Sequence, residues 1–396
     1  MLCADFAVQM QAVAVGWHVF SLDRRPLDLG LVGLALFLPT ATLWFVAGVF
    51  VDRHDRRAIA AGGAFAEAVC SLALTALVVH GERRLWLYLA VILVIGIIRS
   101  FTSPAERSLL PAIVDADDYM SAQAGYSSIR ELIVIAGPAV GGALTAIDTP
   151  IAFAASAALL VTGGVALATL RIQRPVHEDV PTLRSALDGL HFIFTRPIVA
   201  GAISLDLFAV LFGGVTALLP VFADTILRIG PVGLGILRSA PALGAATVAW
   251  FLSRRPPNRR IGPLLLSAVA AFGAATIVFG LSKNVGLSIA MLLVIGGADM
   301  ISVVIRNGLV QLGTPDRMRG RVNAVENVFI GASNELGAFE SGTLAAFVGT
   351  VPSVIIGGIG TLAVIAVWAL IFPALRRADA MPRAGDGPAG RTPENW

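Results

Sequence analysis

The sequence predicts an all-α membrane protein: twelve transmembrane helices in two pseudo-symmetric six-helix bundles, with the first helix read as truncated. Three observations predict it. Of 396 residues, 56% are hydrophobic and 14% charged, against about 25% charged in ordinary soluble domains. With a mean hydropathy of +0.81, too little polar material exists to cover a water-soluble core. Twelve apolar stretches can be marked, each near the roughly 20 residues that cross a hydrocarbon core. They run continuously, which selects helices over a barrel whose strands would alternate in polarity.

The first span is placed at 2–20. Leu2, Cys3 and Ala4 follow Met1 without a polar lead, so it reads as a membrane helix lacking its first turns. A cleaved signal peptide is the poorer reading, because there is no positive lead, Asp5 interrupts the run, and no small-x-small site follows. Spans at 29–51, 58–80, 85–104, 121–147 and 150–171 complete a bundle over 1–171. Gly137, Gly141 and Gly142 in the fifth span let backbones approach where lipid gives no hydrophobic drive to associate.

The polar interruption at 172–196, with Pro175 and Pro181, is a linker to the second half. Within it Leu183, Ala186, Leu187, Leu190 and Phe194 fall at helical spacing, predicting an amphipathic segment on the cytoplasmic membrane surface. The second bundle, 197–373, holds spans at 198–226, 231–253, 261–282, 285–312, 321–347 and 352–373. The tail, 374–396, is rich in Arg, Pro, Gly and Ala without a periodic apolar face, and disorder is expected there.

A weak repeat supports the two halves. Gly33 and Pro39 recur as Gly235 and Pro241 at an offset of 202, and Leu109, Ala124, Gly137 and Gly142 recur as Leu309, Ala324, Gly337 and Gly342 at an offset of 200. Repeated halves are a plan of secondary transporters. Of the 28 Arg and one Lys, 19 fall in the even-numbered loops and the tail and six in the odd-numbered loops. The excess places both termini in the cytoplasm.

Basic residues scattered between apolar runs do not make a nucleic-acid surface. Cys3 and Cys70 lie in apolar stretches with no CxxC spacing, and the five histidines (18, 54, 80, 177, 191) give no metal-ligand spacing. No metal or cofactor is expected. Neither HExxH nor G-x-x-x-x-G-K-[ST] occurs, so an embedded enzyme or an ATPase is not indicated.

Charges inside spans cost about 2.5–3.5 kcal/mol each on insertion scales and are retained beside a partner or a wet pathway. Here the acids are Asp5, Glu67, Glu131, Asp206, Asp299, Glu326, Glu335 and Glu340, and the intramembrane charge partners are Arg99, Arg130, Arg238 and Arg306. Four cations do not match eight acids one for one. An unpaired acid in an aqueous cleft can load a proton from one side and release it on the other. Arg306, seven residues past Asp299, is too far along the helix to touch it, so its partner lies on another helix. Gln9, Gln11, Trp17 and His18 give the first span a polar and aromatic face open to substrate, and Phe208 and Phe212 are candidates for an apolar pocket wall.

The segment Gly48-Val49-Phe50-Val51-Asp52-Arg53-His54-Asp55-Arg56-Arg57 resembles the G-x-L-x-D-R-x-G-R-R loop of the major facilitator superfamily, with Phe50 and Asp55 replacing the usual Leu and Gly. Gly48, Asp52, Arg53, Arg56 and Arg57 are then a cytoplasmic gating loop, or topology determinants alone. Three further stretches resemble the enterobactin-exporter-like branch: Asp299 to Arg306, Thr314 to Val322, and Ser333 to Gly342. Gly137-Pro138-Ala139-Val140-Gly141-Gly142 is similar to the glycine-proline motif of the fifth helix in superfamily antiporters.

The resemblance implies a proton-coupled exporter of small amphipathic molecules, siderophore or drug-like, acting by alternating access in the bacterial cytoplasmic membrane. A monomer is expected, with lipid, solute and protons as partners. Asp206 leads the proton-coupling candidates because Asp5 and Asp206 occupy nearly corresponding repeat positions, on helices that line the cavity in proteins this one resembles. Glu335 and Asp299 follow from their motifs. A uniporter or importer of the same fold, or a non-transporting sensor or scaffold, are the alternatives.

Overall fold

The computed structural model describes residues 1–115, 117–170, 183–257 and 259–379. Among them the regular structure is entirely helical. The chain runs through α1 (Leu2–Asp23), α2 (Pro26–Arg53), α3 (Arg56–Val79), α4 (Leu85–Arg107), the short α5 (Leu110–Ile113), α6 (Tyr119–Ile147) and α7 (Thr149–Thr169). It continues as α8 (Leu183–Phe194), α9 (Pro197–Phe212), α10 (Val215–Val221), a π-helical turn (Phe222–Ile226), α11 (Gly230–Arg254), α12 (Ile261–Leu281), α13 (Val285–Gly313), α14 (Asp316–Val348), α15 (Thr350–Ile371) and α16 (Pro373–Arg376). Counting α9, α10 and the π turn as one span, the twelve expected spans are all present.

Local chemistry sets the ends. Proline opens α2, α7 and α9, where its missing N–H costs nothing. The Asp55 carboxylate caps α3 by accepting from the N–H groups of Arg57 and Ala58. Arg24, ending α1, and Arg228, just after the π turn, both adopt φ 55°, so the first helix of each half finishes on a left-handed arginine. Among the described residues, ten helical stretches are long and apolar enough to cross a membrane. The other two long helices are α1, carrying Asp5, Gln9, Gln11 and His18, and α14, carrying Arg319, Arg321, Glu326, Glu335 and Glu340.

Packing divides the chain into two units: Met1–Val180 with Thr216–Ser239, and Pro181–Val215 with Ala240–Trp396. In the first, α1 packs chiefly on α6 and α7, α2 on α4, and α3 on α7 and α4. In the second, α12 packs on α13 and α15, and α14 on α9, α8 and α15.

Residues 216–239, assigned by sequence to the second bundle, pack with the first unit. Direct contacts hold them: Arg24 Nη2 lies 3.4 Å from Asp224 Oδ2, Arg238 donates to the Ala12 carbonyl at 2.6 Å, and Ser239 donates to the Ile135 carbonyl at 2.6 Å. α6 and α11 meet backbone to backbone. A Cβ on Gly142 would lie 2.5 Å from the Pro231 carbonyl oxygen, and one on Gly235 would lie 2.5 Å from that of Pro138. The chain changes unit beside two interruptions, the Gly213-Gly214 break after α9 and Pro241 inside α11.

In α8, Leu190, Phe192 and Ile193 pack against Val199, Val322 and Val325 and Asp188 pairs with Arg321 at 3.1 Å. Phe194 is 68% exposed, and the side chains of Leu183, Ala186 and Leu187 lie outside the described residues. Helical periodicity reports an apolar face but not what covers it. The start of the tail is also structured: α16 and the residues after it dock on α12, with Gly262 N–H donating to the Ala378 carbonyl at 2.9 Å. Residues 172–182 of the expected linker and 380–396 of the expected tail lie outside the described residues.

Candidate functional site

In the second unit three helices bring charge into an apolar interior. Asp206 on α9, Arg306 on α13 and Glu326 on α14 are 5%, 3% and 6% exposed. The Arg306 guanidinium pairs with Asp206 and places its Nε 3.3 Å from Glu326 Oε1. One cation therefore serves two carboxylates. Taking these charges out of water costs several kcal/mol per ion, and mutual attraction offsets that only while all three stay together.

Asp206 also lines a narrow crevice of about 10 Å³ with Ala209, Val210, Val269, Phe272, Ala298, Asp299 and Ser302. Asp299 sits about two turns before Arg306 on α13 and is half-buried. It has no hydrogen-bond or ion-pair partner among the described residues. The crevice thus joins one acid committed to a cation and one that is not. Glu335 lies nine residues past Glu326, about half a revolution around α14, and does not line this crevice.

The first unit has its own polar interior. Tyr126 on α6 donates to Asp5 Oδ2 at 3.2 Å, and Arg130 Nε lies 3.8 Å from the same oxygen. Beside them Arg99 pairs with Glu67 at 3.2 Å and donates to Gln11 Oε1 at 3.3 Å, while Gln11 donates to Ser71 at 2.9 Å. Gln11, 4% exposed, thus belongs to a network joining α1, α3 and α4. Gln9 and Trp17 are half-buried on α1. Phe208 and Phe212 pack on α15, Phe208 with its ring centroid 5.2 Å from Trp368 and Phe212 against Gly360.

At the α2–α3 loop Asp52, near the end of α2, pairs with Arg56, the first residue of α3, at 3.2 Å, Arg57 donates to the Leu170 carbonyl at the end of α7 at 2.8 Å, and Arg53 is exposed. Gly48 faces open space. All four intramembrane arginines are engaged, three with carboxylates and Arg238 with the Ala12 carbonyl.

Sequence reasoning missed Tyr126 and Ser302 and did not name the partners of Arg306. The repeat carried a usable signal: Asp5 and Asp206 are 201 residues apart, and Tyr126 and Glu326 are 200 apart. In each unit the acid of the leading helix is therefore accompanied by a polar residue at the matching place in the fifth helix of that half.

The chain matches the family described as transmembrane secretion effector over residues 1–388. It is 26% identical over 361 residues to the enterobactin exporter EntS of Shigella boydii serotype 4 (strain Sb227), covering 89% of this chain and 86% of that one. To EntS of Escherichia coli O1:K1 / APEC it is 27% identical, covering 89% and 85%. Among solved structures it superposes on the nucleoside transporter NupG with a TM-score of 0.72 at 14% identity, covering 94% of this chain and 96% of that one. On a bacterial homologue of the iron transporter ferroportin in its inward-facing state the TM-score is 0.71 at 15% identity, covering 95% and 97%. Likeness at that identity establishes the fold alone. The whole-chain match and the twelve-helix architecture together make this chain a member of the transmembrane secretion effector family, within the major facilitator superfamily of transporters.

Proposed function

We propose that this chain is a proton-coupled exporter of small amphipathic molecules, siderophore or drug-like in size and polarity, working by alternating access in the bacterial cytoplasmic membrane with both termini inside. The carrying observation is the crevice of the second unit, where Asp299 and Asp206 stand together and only Asp206 has a cationic partner. Relatives named as enterobactin exporters support the outward direction and the solute class.

The geometry divides the roles. Asp299, at the crevice and without a counter-cation among the described residues, takes up and releases the proton. Protonating Asp206 would instead loosen its hold on Arg306, leaving Glu326 as that cation's acid, so Asp206 links the crevice to the packing of α9, α13 and α14. Asp5, with Tyr126 and Arg130, is the first unit's counterpart. Gln9 and Trp17 are solute contacts on α1. The α2–α3 loop, through Asp52–Arg56 and Arg57–Leu170, is the latch that one conformation holds.

The test is solute efflux from cells or uptake into everted vesicles, with and without a protonophore. Collapse of the gradient and Asp299→Asn should each remove the gradient-driven component while protein level is unchanged. Asp206→Asn should slow it. Efflux indifferent to the protonophore and to both substitutions would leave a uniporter of the same fold as the better description.

A further inference from the structure

Away from the charged interior, the second unit carries an open groove of about 460 Å³ where α12 begins and α15 finishes, lined by Arg260, Pro263, Arg376, Arg377, Ala378 and Asp379. The groove is built by docking. Past Ile371 the chain turns through α16 and crosses the start of α12, where Gly262 N–H donates to the Ala378 carbonyl at 2.9 Å and Arg260 N–H donates to Asp379 Oδ1 at 3.2 Å. Gly262 is required there, because a Cβ would run into the Leu375 carbonyl oxygen.

Its charge is unbalanced. Three guanidinium groups face one carboxylate, and one oxygen of that carboxylate is already occupied by a backbone N–H. None of the three arginine side chains has a hydrogen-bond or ion-pair partner among the described residues. Other arginines of this unit are engaged: Arg254 lies 3.9 Å over the Trp250 ring, Arg255 5.9 Å over Phe251, and Arg321 pairs with Asp188. The positive end of the α12 dipole adds to the excess. Next to this charge the last turn of α15 presents Leu370 and Ile371, 76% and 61% exposed.

We propose that this groove binds the phosphate headgroup of an anionic phospholipid, with its acyl chains against the end of α15. Basic pockets at the ends of membrane helices recognise such headgroups. A free phosphate would satisfy the arginines but leave the adjoining apolar surface uncovered, so lipid is the occupant that matches both halves of the site.

Native mass spectrometry of the full-length protein, titrated with phosphatidylglycerol, phosphatidylcholine or inorganic phosphate, tests it. Phosphatidylglycerol should bind more tightly than phosphatidylcholine. Arg260→Gln should weaken it about fivefold, and the double variant Arg376→Gln/Arg377→Gln about 25-fold, on the scale of one surface arginine each. Arg376→Lys/Arg377→Lys should retain the preference, and Arg254→Gln/Arg255→Gln should not alter it. Equal binding of the two lipids, unchanged affinity in Arg260→Gln and the double variant, an equal loss in Arg254→Gln/Arg255→Gln, or displacement of phosphatidylglycerol by millimolar inorganic phosphate would each overturn the proposal.

Discussion

Arg306 holds two buried carboxylates, and its removal should cost more than any other single change in the second unit. Arg306→Met leaves Asp206 and Glu326 without their cation, and the expected loss is about 3–5 kcal/mol. The midpoint of thermal unfolding in detergent reads it, and Arg306→Met combined with Asp206→Asn and Glu326→Gln should recover most of the loss, because no buried charge is then stranded. Glu82, in the exposed loop between α3 and α4, gives the opposite case. Its carboxylate accepts from the Arg84 side chain at 2.9 Å and from the Arg83 and Arg84 backbone N–H groups, which hold its pKa at about 2. A depressed folded pKa means a contribution present above the ordinary carboxylate range and lost as pH falls toward about 2. Glu82 therefore stays ionised wherever a proton antiporter works, and Glu82→Gln should leave the pH profile of efflux unchanged, whereas Asp299→Asn should flatten it. At this scale the sequence was legible where the charges lie close along the chain, as in the α2–α3 loop, whose acid and arginines include the Asp52–Arg56 pair. It was silent on Arg306, because which helix faces which is not written in spacing along one of them.

Elements were legible in their number and approximate limits, since a bilayer imposes length and apolarity on every span. Breaks were not. The Gly213-Gly214 interruption and the π turn after Pro220 lie inside one continuous apolar run, where hydropathy does not register a missing hydrogen bond. The α6–α11 contact is another local feature that glycine content only hints at. Gly235→Val should force the two backbones apart, lowering stability by about 1–3 kcal/mol and slowing efflux, whereas Gly48→Val, with nothing within 4 Å of its added Cβ, should do neither. Unfolding midpoints and transport rates of the two variants make the comparison. The amphipathic pattern of α8 was equally readable, and among its described residues Leu190, Phe192 and Ile193 are covered by α9 and α14.

For the whole molecule, the charge asymmetry makes a direct prediction about sidedness. A single cysteine introduced at His54 should react with an impermeant thiol reagent only from the cytoplasmic side, and one at Glu82 only from the other side; the reverse pattern would invert the topology drawn from the arginine count. The family and the twelve-span plan were readable because loop signatures and hydropathy are local, whereas the grouping of 216–239 with the first unit depends on contacts between segments some hundred residues apart or more. One consequence of the uneven apolarity concerns biogenesis. α1 leaves the ribosome well ahead of α6 and α7, the helices it packs on most, which begin only at Tyr119 and Thr149, yet it is not among the stretches long and apolar enough to cross a membrane by composition. At ordinary synthesis rates that is a wait of roughly 5–20 s before even α6 begins to emerge. During it the nascent segment has to be sheltered at the insertion machinery, and a chain halted before Tyr119 should be cleared by membrane quality-control proteases.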